Sequence, residues 1–143
     1  MLKKIDGHKD ISRLIREVFA TDEDLYTRRY HGDDKTLSGI VSYTMSALFD
    51  DSSMSDVDVY AYGDRYGFFA VNENLRLLRS FGIKKQHRDK KDLFWQSVRE
   101  VLGNAFMACV WEENGRATRF FEQQGAVLFN SMNGGVGYTF NLN

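Results

Sequence analysis

The chain has 143 residues, 43% of them hydrophobic and 27% charged, with a formal net charge of −1. That length suits one domain, and the composition is that of an ordinary globular protein, which excludes low-complexity, collagenous and strongly basic nucleic-acid-binding classes. No apolar run approaches the roughly 20 residues of a membrane span, and a single cysteine, Cys109, excludes an intrachain disulfide.

In chain order, Met1–Asp6 lacks the apolar core of a secretory signal, so an intracellular or virion-associated location is the expectation. Leu2 and Ile5 are the apolar members of a short first strand. Ile11, Leu14, Ile15, Val18 and Phe19 recur at helical spacing, with Asp10 placed to cap the helix. Residues 21–32 are polar and mix helix with loop. A second helical face follows at Leu37, Ile40, Val41, Thr44, Met45 and Leu48, with Asp33 or Asp34 as cap.

The period then changes. Residues 56–62 alternate as a half-buried strand does, 63–67 read as a hairpin turn, 68–71 as the return strand, 72–74 as a turn, and 75–80 as the third strand of a meander. A polar loop, Lys84 to Asp92, leads into a helix carrying Leu93, Phe94, Val98, Val101 and Leu102 and stopped by Gly103-Asn104. Residues 105–111 form a nearly continuous apolar run, the pattern of a central strand covered on both faces. Asn114 caps a short helix with Ala117, Phe120 and Phe121 on its inner face, and Gly125 stands where a left-handed C-terminal cap belongs. Residues 126–129 and 136–142 pair as a hairpin across Asn133-Gly134-Gly135.

The strand–helix–strand unit late in the chain predicts a parallel crossover, with antiparallel strands elsewhere. Residues 1–143 read as one domain without linker or repeat.

The run from Val110 to Ala126, with Asn114, Ala117, Phe120 and Gly125 at their spacing, resembles the GNAT superfamily of N-acetyltransferases, as does the element order. The resemblance implies an α/β fold with a GNAT-like mixed sheet, the parallel crossover and helices on both faces. It also implies that the strands ending near Ser80 and Trp111 splay apart where such proteins hold the pantetheine arm of acetyl-CoA. Val110-Trp111, Asn114, Arg119-Phe120 and Gly125-Ala126-Val127 resemble, more narrowly, the acetyltransferase-like proteins of short-tailed phages, some of which are linked to virion assembly.

Two features of the resemblance bear on catalysis. GNAT enzymes bind the pyrophosphate of acetyl-CoA on a glycine-containing turn, where backbone N–H groups approach the phosphates at a helix N-terminus. Lys84 to Asp92 holds five Lys/Arg, two Asp and no glycine. Gln86 stands at the first position of that turn, and Asp89 and Lys91 replace the glycines. The implied cofactor contacts, should acetyl-CoA bind, are Gln86, Arg88 and Asn114. Many GNAT enzymes also use a tyrosine to protonate the departing thiolate. That position is Phe121, which has no proton to give, and Tyr138 on the last strand is the substitute to weigh.

Other chemistry is thinly supported. His8, His31 and His87 are far apart in unlike contexts, against a metal site. Glu112 and Glu113 follow a strand end, Cys109 alternates within an apolar strand, and no basic stripe interleaves Tyr60, Tyr62, Tyr66, Phe68 and Phe69, so a base-stacking surface is disfavoured. Two functions remain. The first is a non-catalytic, phage-type module with no catalytic residue, no cofactor and other virion or assembly proteins as partners, without membrane or nucleic acid. The second is an active acetyl-CoA-dependent N-acetyltransferase with a divergent cofactor loop.

Overall fold

A computed structural model of the chain describes residues 1–30, 32–50, 56–111, 115–132 and 135–140. Seven strands make one mixed sheet in the order β1-β2-β3-β4-β5-β7-β6. They are β1 (Leu2–Ile5), β2 (Asp58–Tyr62), β3 (Gly67–Asn72), β4 (Leu77–Ile83), β5 (Phe106–Trp111), β6 (Val127–Met132) and β7 (Gly135–Phe140). The helices are α1 (His8–Phe19), α2 (Leu37–Phe49), α3 (Lys91–Leu102) and α4 (Gly115–Gln123).

The alternation in β2 and β3 divides the core. Val59, Ala61, Phe68 and Ala70 pack with Ile11, Leu14, Ile15, Val18, Ile40 and Val41 of α1 and α2. Tyr62, Phe69 and Val71 face the other way and join Phe94, Trp95, Val98, Phe106, Phe120, Phe121 and Phe140. Each strand therefore serves two helical layers, α1 and α2 on one face and α3 and α4 on the other. The expected burial of Val98, Phe106, Ala108, Ala117 and Phe120 holds. The side chain of Val110 lies outside the described residues.

The crossover through α3 makes β4 and β5 parallel, as the sequence predicts. They pair only at Leu77↔Met107 and Leu78↔Ala108, beside one further bond from the Met107 N–H to the Arg76 carbonyl at 2.9 Å. Beyond Leu78 the two strands part. A bulge starts the divergence: Ala70 faces Ser80 and Val71 faces Leu78, so Arg79 has no partner on β3.

Several local expectations are corrected. Asp10 is not the cap of α1. Gly7 takes that place, with φ of 87°, and Asp10 lies in the first turn, where its charge meets the positive end of the helix dipole. Neither Asp33 nor Asp34 caps α2. Thr36 does, its Oγ1 accepting from the Gly39 N–H at 3.0 Å and donating to Asp34 at 2.8 Å. The third meander strand begins at Leu77 and runs to Ile83, because 73–76 form the turn and Arg76 adopts φ of 49°. The polar stretch 84–92 is not an open loop. Lys85–Lys90 form a 3₁₀ turn that runs directly into α3.

The end of α4 follows its sequence closely. Gly125 has φ of 82°, its N–H donates to the Glu122 carbonyl at 3.1 Å, and the Ala126 N–H reaches the Phe121 carbonyl at 3.0 Å. This is the Schellman arrangement that only a residue tolerant of the left-handed region completes without strain. The hairpin expectation holds for β6 and β7, which pair from Val127↔Thr139 to Met132↔Gly135. Asn133, Gly134 and the cap position Asn114 lie outside the described residues.

Candidate functional site

The parting of β4 and β5 opens a cleft of about 630 Å³ that reaches both helical layers. Its floor is the diverging length of β4, Ser80 to Ile83. Tyr30, Ile40, Tyr43 and Leu48 wall one side, and Ala117 and Phe120 of α4 the other. Gly82 keeps the floor low. A Cβ there would lie 2.9 Å from ring atoms of both Phe19 and Phe68.

Charge in the cleft is one-sided. Among the described residues, Arg29, Arg79, Arg88, Lys91 and Arg119 line it, against one carboxylate, that of Asp22. Asp22 is buried beneath two of these cations. Its Oδ2 accepts from Arg88 Nη2 and lies 3.8 Å from Arg29 Nη1. The segment after α1 is thereby joined to the 3₁₀ turn before α3, and the Lys85 N–H adds a bond to Thr21 Oγ1 at 2.9 Å. Arg79, at the bulge, donates through Nη2 to the Ala47 carbonyl in the last turn of α2 at 2.8 Å, while its Nη1 is buried without a hydrogen-bond partner. Lys91 Nζ lies 5.6 Å from the ring centre of Phe120. Among the described residues, Arg79, Lys91 and Arg119 pair with no carboxylate.

Two tyrosines line the α2 side. The rings of Tyr30 and Tyr43 are 5.5 Å apart, and burial raises both hydroxyls above the ordinary tyrosine range. The Tyr30 carbonyl accepts from Lys35 Nζ at 2.5 Å.

The residues singled out in the sequence disperse. Arg88 lines the cleft, but its guanidinium is engaged by Asp22. Gln86 is exposed on the outer side of the 3₁₀ turn and does not line the cleft. Asn114 is outside the described residues. Phe121 is fully buried among Phe81, Trp95, Tyr138 and Phe140 and does not line the cleft either. Tyr138 does not take its place. It is 3% exposed, is absent from the cleft wall, and approaches Glu122 Oε1 with its hydroxyl at 3.4 Å. Burial first, and Glu122 beside it, raise the Tyr138 hydroxyl above its usual range.

Among the described residues, no group of three metal-ligating side chains converges, and no helix is long and apolar enough to cross a membrane.

The sequence matches no protein-family model and resembles no curated protein at a significant level. Solved structures do match. An acetyltransferase from Thermus thermophilus superposes with a TM-score of 0.68 over 97% of this chain and 96% of that one, at 16% identity. The PaiA N-acetyltransferase of Thermoplasma acidophilum, in complex with coenzyme A, gives 0.65 over 98% of both chains at 12% identity. The N-acetyltransferase PseH of Campylobacter jejuni, in complex with acetyl coenzyme A, gives 0.55 over the whole of both at 13% identity. Together with the mixed sheet, the parallel crossover and the parting of β4 from β5, these matches show that the chain has the fold of the GNAT acetyltransferases.

Proposed function

We propose that this protein is a GNAT-fold binding module that keeps the cleft of the fold and has lost its acyl-transfer chemistry, of the kind found in short-tailed phages, and that it serves virion assembly by binding another protein. The observation that carries the reading is Phe121. At the place where the resemblance puts a proton-donating tyrosine, the chain has a fully buried phenylalanine, and Tyr138 is turned to Glu122 outside the cleft. A positioned general acid is worth roughly 10²–10⁴ in rate. The phage-type part rests on the sequence resemblance around Val110 to Val127.

Acetyl-CoA fits the cleft in part. The gap beside β4 has the size and apolar lining for an extended arm, and the cations suit phosphates. The mouth does not offer the backbone cradle of a pyrophosphate. A glycine-free 3₁₀ turn precedes α3, Arg88 is held by Asp22, and Asp89 adds a charge of the wrong sign. Bound acetyl-CoA would supply an activated acyl thioester; Lys91 and Arg119 are the cleft residues free to meet its phosphates.

Titration calorimetry with acetyl-CoA, beside a thiol-release assay on generic amines, tests the reading. No CoA release is expected from the wild type or from Phe121→Tyr, whose new hydroxyl would point into the aromatic core. CoA release by the wild type would refute the non-catalytic reading.

A second reading, an active acetyl-CoA-dependent N-acetyltransferase, is favoured by the open cleft and by Tyr30 and Tyr43 on its wall, hydroxyls that are able to donate a proton. Thiol release that falls sharply in Tyr30→Phe or Tyr43→Phe would establish it.

A further inference from the structure

Three properties of the cleft point to the same occupant. The first is the edge of β4. Past Leu78, from Arg79 to Ile83, the strand has no β5 beside it, while Ser80 to Ile83 keep β3 on the other side. Five residues of strand span roughly 16 Å, and an unpaired edge is a template for adding another strand. The second is the lining. Phe81, Phe120, Ile40 and Leu48 give apolar walls to both sides of that edge, as needed to receive the alternate side chains of an extended segment. The third is charge. Among the described residues, five cations of the cleft face one carboxylate, and that carboxylate is already shared by Arg88 and Arg29. Arg79 has an Nη1 that is buried without an acceptor, which in a cationic group leaves a desolvation cost unrelieved.

We propose that the cleft takes an extended, acidic segment of a partner protein, which adds as a strand along β4 from Arg79 to Ile83 and sets its carboxylates on Arg79, Lys91 and Arg119. This rests on the binding-module reading and names what the module binds. Apolar side chains of the segment enter the lined walls, and its backbone supplies the partners that β5 withholds. Carboxylates are favoured over phosphate clusters by the arrangement of the cations. Arg79, Lys91 and Arg119 come from a strand and two different helices, spread along the cleft instead of gathered on one turn.

The test uses labelled ten-residue peptides in which Leu alternates with Glu, Gln or Lys, followed by fluorescence anisotropy on the intact protein. The Glu peptide is expected to bind at least tenfold more tightly than the Gln peptide, with the Lys peptide weakest, and the preference should shrink as salt rises. Arg119→Glu, at an exposed position that the fold does not need, should weaken the Glu peptide at least tenfold while circular dichroism and the melting temperature stay unchanged. Hydrogen exchange should slow at 79–83 when the Glu peptide is bound. Equal binding of the three peptides, binding without protection at 79–83, or binding unaffected by Arg119→Glu would each overturn the proposal. Coenzyme A binding without any peptide binding would overturn it too. CoA release in the thiol assay bears on the non-catalytic reading alone, so the two failures are distinct.

Discussion

Arg88 Nη2 donates to Asp22 Oδ2 across a separation of 66 residues, and the pair fastens the start of α3 to the end of α1. Asp22 is 3% exposed. Removing the Arg88 guanidinium takes a charged hydrogen bond from a carboxylate that is out of water. Arg88→Met should therefore cost about 1.5–3 kcal/mol, the range for a hydrogen bond to a charged group. Urea denaturation, reading the midpoint at constant m-value, measures it.

Glu17 gives a pH signature. Hydrogen bonds from Arg65 first, then Lys84, hold its carboxyl at about 2, below the ordinary 4.5. A folded pKa below the unfolded one means that the stabilisation is present above about 4.5 and is lost as pH falls toward 2. The side chain is 37% exposed, so solvent screening limits the contribution to about 1 kcal/mol. Thermal melts of wild type and Glu17→Gln should differ at pH 6 and converge near pH 2.

Gly67 faces a backbone atom at very short range. A Cβ there would lie 2.3 Å from the Gly82 carbonyl oxygen and 2.6 Å from the Tyr62 hydroxyl. The hydroxyl is itself buried without a partner, and burial raises its pKa. Because the carbonyl belongs to the neighbouring strand, it cannot step aside as a side-chain tip would. Gly67→Ala should cost about 3 kcal/mol, at the upper end for overpacking, and equilibrium unfolding checks the value.

Phe120 belongs both to the core and to the cleft wall. Phe120→Ala should destabilise by about 3–5 kcal/mol, as truncation of a buried aromatic does. A chevron analysis would also show whether α4 docks before or after the rate-limiting step.

The parts of the fold that rest on local chemistry were legible in the sequence. Helix α4 and its Gly125 stop, the apolar run of β5 and the meander all follow from periods and turn residues within a dozen positions. The two caps are hidden because each helix carries an acidic residue close to the true cap. Gly7 offers no side chain to recognise, and Thr36 sits two places past Asp34. The cleft was legible in outline, since the resemblance to GNAT proteins implies a splay near Ser80. Its cations are legible only in part. Arg88 and Lys91 belong to the one basic stretch 84–92 that the sequence marks, whereas Arg29, Arg79 and Arg119 come from three other stretches, and no spacing joins them before the strands part. Arg79 in particular reads as an ordinary strand residue until the bulge sets it apart.

That bulge also works as a frame shift. Upstream of it, Leu78 faces the α3 and α4 layer; two positions on, strict alternation would turn Ser80 and Gly82 to the same side. Instead Phe81 and Ile83 keep company with Leu78, while Ser80 and Gly82 lie across from Ala70 and Phe68 on the opposite face. One extra residue thus exchanges the phase of the rest of β4. Deleting Arg79 would not merely remove a charge. It would remove the bulge itself: Ser80 would follow Leu78 in plain alternation, so Phe81 and Ile83 would keep their face, while the irregularity at which β4 starts to leave β5 would be gone. The strand thus carries one residue more than its pairing needs, and the surplus goes to the mouth of the cleft and not to the core.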